Sequence, residues 1–194
     1  PMLGRRVALK RPVSPLASDP AAQARVLREA RAAATLAHPH ACVVHEVGQD
    51  DEGRAFLAME YLEGETLDAR IARGPLPLGA VLRLGIQAAG ALEAAHAHGV
   101  VHRDIKPSNL MLTTHGVKLL DFGLASLTRD QPDAEGGLLG TLPYMSPEQL
   151  ERRPVDAGSD LFSLGVVLYE LLAGVVPFRG NTPLRVALDH VQTP

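Results

Sequence analysis

Between His102 and Gly123 the chain presents His102, Arg103, Asp104, Lys106 and Asn109 in close order, and twelve residues after Asn109 it presents Asp121. Two short apolar segments of strand type, Leu110 to Leu112 and Val117 to Leu120, lie between Asn109 and Asp121. Any one of these polar residues reads, alone, as part of a turn. The ordered set of carboxylate, lysine, amide and second carboxylate reads as a site, and the fold has to bring its members together.

The rest of the chain shows how that could happen. Arg6 to Lys10 has the character of a strand end and is followed by a loop containing Pro12, Pro15 and Ser18. Asp19 and Pro20 open a helix that stops near His38-Pro39, with Val26, Glu29, Ala33 and Leu36 on one stripe, so Glu29 is set among apolar neighbours. Val43 to Val47 and Ala55 to Glu60 read as strands, and Tyr61 to Gly64 as a connector. Leu78 to His98 reads as a helix with Leu82, Ile86, Ala89 and Leu92 on its apolar face and Gly99 as its stop. Gly123 to Met145 is a loop long enough to suggest function. Ser159 or Asp160 opens a buried helix that runs to Ala173, and Pro183 opens a last amphipathic one. Strands early and helices late predict an α+β chain in two lobes hinged near Tyr61.

Composition narrows the function. Hydrophobic residues make up 46% of the 194 and aromatics only 4%, which fits one ordinary soluble globular unit. A net charge of -3 supplies no basic field for nucleic acid or an anionic membrane surface, so neither is expected as a partner. The longest apolar run, Leu161 to Ala173, is interrupted by Ser163, Tyr169 and Glu170 and is shorter than the roughly 20 residues a spanning helix needs, so no membrane segment is expected. Cys42 is the only cysteine and suits a reducing, cytoplasmic setting, or the cytoplasmic side of a membrane if an anchor lies elsewhere. Of the 19 lysines and arginines only Lys10, Lys106 and Lys118 are lysine, and a lysine that persists against such a bias is a candidate for chemical necessity.

The run His102-Arg103-Asp104-Ile105-Lys106-Pro107-Ser108-Asn109 and the later Asp121-Phe122-Gly123 resemble the catalytic loop and the metal-binding motif of eukaryotic-type protein serine/threonine kinases of the bacterial kind. The resemblance implies the two-lobed kinase fold and transfer of the γ-phosphoryl group of Mg-ATP to protein Ser/Thr hydroxyls, with Mn2+ as an alternative ion. It implies that Asp104 orients or accepts the substrate hydroxyl proton, that Lys106 neutralises the γ-phosphoryl oxygens, and that Asn109 and Asp121 hold the metal through hard oxygens. Val7-Ala8-Leu9-Lys10 resembles the strand whose lysine pairs the α- and β-phosphates, with Glu29 as its helix partner. Gly140-Thr141 and Ser146-Pro147-Glu148 resemble the end of the activation segment, Ser standing where Ala is commoner, and Thr141 with Lys106 points to the serine/threonine branch. Asp160 resembles the aspartate that binds the backbone around the catalytic loop, although an N-cap role is an equally common use of Asp. By register, Met59 takes the gatekeeper position, Glu60 to Leu62 form the hinge that meets adenine, and Ala8 and Met111 line the same nucleotide pocket.

The same resemblance divides the chain into a small lobe over 1–60, a hinge over 61–64 and a large lobe over 65–194. It places the glycine-rich phosphate loop before Val7 and the last helices after Pro194, with lower stability expected as a result, since Glu148 would find its usual arginine there. Arg103 implies control by a phosphate on the activation segment, with Ser126 and Thr128 as candidate autophosphorylation sites. Two other function classes remain open at this stage. One is a pseudokinase or ATP-binding scaffold, opposed by the presence of Lys10, Glu29, Asp104, Asn109 and Asp121 together. The other is a small-molecule phosphotransferase, disfavoured by Thr141 and the Ser-Pro-Glu segment. His38, His40, Cys42 and His45 suggest zinc by residue type, but their spacing matches no standard finger, and His38-Pro39 resembles the family's turn after its regulatory helix.

Overall fold

The computed structural model describes residues 6–11, 34–51, 55–122 and 141–180. Among them the order of elements is β1 (Val7–Lys10), β2 (Val44–Gln49), β3 (Ala55–Glu60), β4 (Gly64–Thr66), α1 (Leu67–Ile71), α2 (Leu78–Ala97), a 3-10 turn (Pro107–Asn109), β5 (Leu110–Thr113), β6 (Gly116–Leu119), a second 3-10 turn (Leu142–Tyr144), α3 (Pro147–Leu150) and α4 (Ala157–Ala173). The helices expected to open at Asp19 and at Pro183 lie outside the described residues.

Two antiparallel sheets result. In the first, β3 is central between β1 and β2, and it buries Leu57 against Val44, Val47 and Met59. In the second, β5 pairs with β4 on one side and with β6 on the other in a tight hairpin, with Met111 opposite Lys118. The chain therefore has the small β lobe and the larger helical lobe of the two-lobed kinase fold. Two seams join them. One is the connector from Glu60 to β4. The other is the segment before β2, where Cys42 donates its backbone N–H to the Leu119 carbonyl at 2.8 Å and Leu119 donates to the His40 carbonyl at 2.8 Å. Ala41 sits between these bonds, fully buried in the core of the large lobe.

That core is organised by α2 packed on α4. The inward face of α2 carries Val81, Leu84, Gly85, Ala88, Ala91, Leu92 and Ala95. The stripe expected from the sequence was rotated by one position: of Leu82, Ile86, Ala89 and Leu92, only Leu92 is buried, while Ile86 is 74% exposed. Each residue turns a helix by about 100°, so one step moves a side chain off the core face. Small residues set the true face because they let the helices approach closely. A Cβ added at Gly85 would lie 3.1 Å from Leu168 Cδ1 on α4. α2 is also long and apolar enough to cross a membrane by composition, and here it serves as a core helix.

The start of α4 also differs from expectation. Its N-cap is Asp156, whose carboxylate accepts the Gly158 N–H at 2.8 Å, so the helix begins at Ala157 and Asp160 lies inside its first turns. α4 ends on Gly174 in the left-handed conformation, φ 73°, which glycine adopts without a Cβ penalty. α2 stops as expected, with Gly99 at φ 72° donating to the His96 carbonyl.

Candidate active site

The catalytic-loop residues descend from α2 and lead into the hairpin of β5 and β6, so the chain returns Asp121 to the place it left at Asn109. Leu120 N–H donates to the Asn109 carbonyl at 2.9 Å and closes that circuit. Around it, Asn109 Nδ2 donates to Asp104 Oδ2 and to the Asp104 carbonyl, both at 2.8 Å. Lys106 Nζ lies 3.0 Å from Asp104 Oδ2 and 3.0 Å from Thr141 Oγ1. Lys10, at the end of β1, forms an ion pair with Asp121 Oδ2. A carboxylate, an amide, two ammonium groups, a hydroxyl and a second carboxylate thus converge between the lobes.

The scaffold beneath them is largely buried and held by hydrogen bonds. Asp160, 1% exposed, receives three donors: the backbone N–H groups of His102 and Arg103 at 2.8 Å each, and His96 Nε2 at 2.8 Å. A buried carboxylate persists only when its lone pairs are taken up, and here that requirement fixes the two residues before Asp104. His102, fully buried, contacts the Leu120 carbonyl through Nε2 at 2.7 Å, and its ring packs on Phe122 with centroids 4.9 Å apart. Gln149 from α3 donates to the Arg103 carbonyl at 2.9 Å and accepts the Ser146 N–H at 3.0 Å. These contacts hold two residues in the left-handed region, Arg103 at φ 67° and Asp121 at φ 61°, a conformation non-glycine residues keep only where surroundings impose it.

The adenine-side candidates are divided between the first sheet, the connector and the second sheet. Ala8 on β1 pairs with Met59 on β3, Glu60 ends β3, Leu62 lies in the connector, and Met111 is on β5. Glu29, Ser126 and Thr128 lie outside the described residues; among the described ones Lys10 pairs with Asp121.

Several contributors were not read from the sequence. His96, near the end of the helix expected over Leu78 to His98, reaches Asp160; its place four residues after Leu92 is the signal that could have marked it as inward. Gln149 and the hydrogen bond from Tyr144 Oη to Glu170 at 2.7 Å had no signal. Burial and the neighbouring Glu170 push the Tyr144 phenol well above its usual range. Glu148, whose usual arginine is expected beyond Pro194, accepts a hydrogen bond from Ser159 Oγ. Burial alone would raise its pKa, but the bonds from Ser159, from its own backbone and from Ser146, with Arg153 nearby, bring it below the usual value. Two of the histidines considered for zinc make other contacts: His40 Nδ1 contacts the Val117 carbonyl at 2.9 Å, and His38 Nδ1 accepts the His40 N–H at 3.2 Å.

A β lobe over a helical lobe, with this set of groups at their junction, defines a protein-kinase catalytic domain. The chain belongs to the protein kinase domain family, whose model matches residues 3–193. It is 43% identical over 199 residues to the serine/threonine-protein kinase PknA of Mycobacterium tuberculosis, covering 99% of this chain and 46% of that protein. It is 40% identical to PknB of Mycobacterium leprae over 98% of this chain and 32% of that protein, and 43% identical to a probable serine/threonine-protein kinase of Streptomyces coelicolor over 98% and 29%. The chain thus spans 29% to 46% of the length of these relatives. Among solved structures it is similar to the kinase domain of Mycobacterium tuberculosis PknI, with a TM-score of 0.74 and 36% identity over 92% of this chain and 68% of that one.

Proposed function

We propose that this chain is the catalytic part of a serine/threonine protein kinase that transfers the γ-phosphoryl group of Mg-ATP to protein hydroxyls, with the lobes meeting across the connector at 61–64. The observation that carries the reading is the convergence of Asp104, Lys106, Asn109 and Thr141 within hydrogen-bond distances of 2.8 to 3.0 Å. Phosphoryl transfer demands little covalent work from a protein and much positioning of charge, and this cluster is a positioning device.

The residues fit Mg2+ by donor chemistry. Because Asn109 Nδ2 is committed to Asp104, its amide oxygen is the end left to act as a hard ligand, and Asp121 adds carboxylate oxygen. The bound ion would offset charge on the phosphates. Asp104 accepts the proton of the incoming Ser or Thr hydroxyl as that oxygen bonds to the γ-phosphorus and the bond to the bridging oxygen of ADP breaks. Lys106, held beside Asp104 and Thr141, stabilises the charge on the transferring group, and Thr141 places the peptide. Lys10 pairs the α- and β-phosphates, with Glu29 as its partner. Ala8, Met59, Glu60, Leu62 and Met111 enclose the adenine. Mn2+ could replace Mg2+ in the same oxygen set.

Regulation by phosphate at Thr128 or Ser126 belongs to the same proposal. Among the described residues the buried Arg103 Nε has no hydrogen-bond partner, and a guanidinium in that state favours an anion brought to it. The single buried thiol, Cys42, is compatible with a cytoplasmic setting.

The test is Mg-ATP-dependent phosphate transfer to a generic protein substrate by the longest natural chain and by its Asp104→Ala variant. Transfer that falls at least about 10²-fold in the variant supports the proposal. Binding of Mg-ATP without transfer by the parent chain would favour a pseudokinase instead.

A further inference from the structure

Two of the three lysines are accounted for by the site above, and Lys118 is not. It lies on β6, three residues before Asp121, and its Nζ donates to Glu60 Oε2 at 2.8 Å and to the Ala41 carbonyl at 3.3 Å. The same Glu60 oxygen accepts the Val43 N–H at 3.3 Å. Glu60 is the last residue of β3, where the small lobe passes into the connector. One carboxylate and one ammonium therefore tie together the start of the hinge, the 41–43 segment and the strand that delivers Asp121. The Lys118 side chain is 14% exposed and the Glu60 side chain 30%, so water screens the pair only partly. Lys118 also stands opposite Met111 across the hairpin, and paired residues of an antiparallel ladder point to the same face.

We propose that Lys118 is a positioning residue for the nucleotide: by fixing the Glu60 carboxylate it sets the backbone of the hinge at the right distance from Met111 for adenine to enter between them. This rests on the kinase reading above and assigns a task within it to a residue outside the reacting cluster. Without Lys118, the Glu60 carboxylate keeps only the Val43 N–H as a donor, and the hinge turns to satisfy it in water. Lys118 then acts on binding of the base and leaves the phosphoryl-transfer step to Asp104 and Lys106. An arginine fits the same task, because a cavity of about 450 Å3 lined by Glu60, Lys118, Tyr61, Glu63 and His115 gives the longer side chain room.

The experiment compares Lys118→Met and Lys118→Arg with the parent in the longest natural chain, measuring KM for ATP, kcat and melting temperature. The expected result is a rise of about three- to tenfold in KM for ATP in Lys118→Met, with kcat within about twofold and with Lys118→Arg close to the parent. An unchanged KM in Lys118→Met overturns the proposal. So does a parallel loss of kcat and melting temperature that arginine fails to restore, since that would mark a purely structural pair. A parent chain that neither binds nor uses Mg-ATP removes the kinase reading and this inference with it, whereas an active parent matched in KM by Lys118→Met removes this inference alone.

Discussion

At the residue scale, Asp160 is the group on which most depends, because its two oxygens hold the backbone of His102 and Arg103 and the ring of His96. Replacing it by alanine leaves buried donors without an acceptor, and truncating one side of such a buried, charge-assisted set costs about 3–5 kcal/mol. Asp160→Ala is expected to lower the melting temperature sharply, and Asp160→Asn to keep more stability yet lose activity, since an amide cannot accept from every donor at once. Thermal unfolding and phosphate transfer measured on both variants check this, and two variants of wild-type stability would contradict it. Cys42 offers a second expectation. Burial, with smaller contributions from Glu60 and Asp121, pushes its thiol up to about 11 from the usual 9.0. A raised acid pKa means that the neutral thiol is favoured in the folded state, so this contribution to stability is full below pH 9 and is lost as pH climbs toward 11. Alkylation of the folded protein at pH 8 is therefore expected to be slow and to become fast on unfolding. Mass spectrometry after timed iodoacetamide treatment reads it directly, and equal rates in the two states would show the thiol accessible.

At the scale of elements, α2 shows how a helix face is chosen. Leu82 and Ile86 point outward, while Val81, Leu84 and Leu92 point inward beside Gly85 and the alanines, whose small size lets α4 approach closely. The prediction is a contrast within one helix: Leu92→Ala costs about 2–5 kcal/mol, whereas Ile86→Ala costs under about 0.5 kcal/mol. Chemical denaturation of the two variants decides it, and similar midpoints would put the core on the other face. The capping of α4 follows the same logic of local need. Asp156 and Asp160 are both acidic residues near a helix start, and only the hydrogen-bond partners tell them apart: Asp156 closes the helix on Gly158, and Asp160 serves the catalytic loop.

At the scale of the molecule, the lobes are joined by more than the connector between β3 and β4. The bonds between His40, Cys42 and Leu119 run one short segment of the small lobe's chain along β6, with Ala41 embedded in the core of the large lobe. Lobe motion is then expected to pivot with this segment fixed to the large lobe. Amide hydrogen exchange should show Cys42 and Leu119 protected like the core amides of α2, and slower than those of β1. Exchange at Cys42 as fast as in β1 would mean that the connector alone holds the lobes together. How far the sequence reached depends on the range of the interactions involved. It determined β1, β2, β3, β5 and β6, the α2 and α4 segments and the ordered residues Asp104, Lys106, Asn109 and Asp121, because periodicity and motif spacing are written along the chain and act over a few residues, whereas the short β4, expected as part of a connector, is a strand only because it pairs with β5. Only the tertiary structure decided that α2 turns its small residues inward, that His96 and Asp160 meet from separate helices, that Lys118 reaches Glu60 across the lobes, and that Asp121 holds Lys10. Those pairings link positions tens of residues apart, and they are set by which faces pack and which buried charges must find a partner once packed.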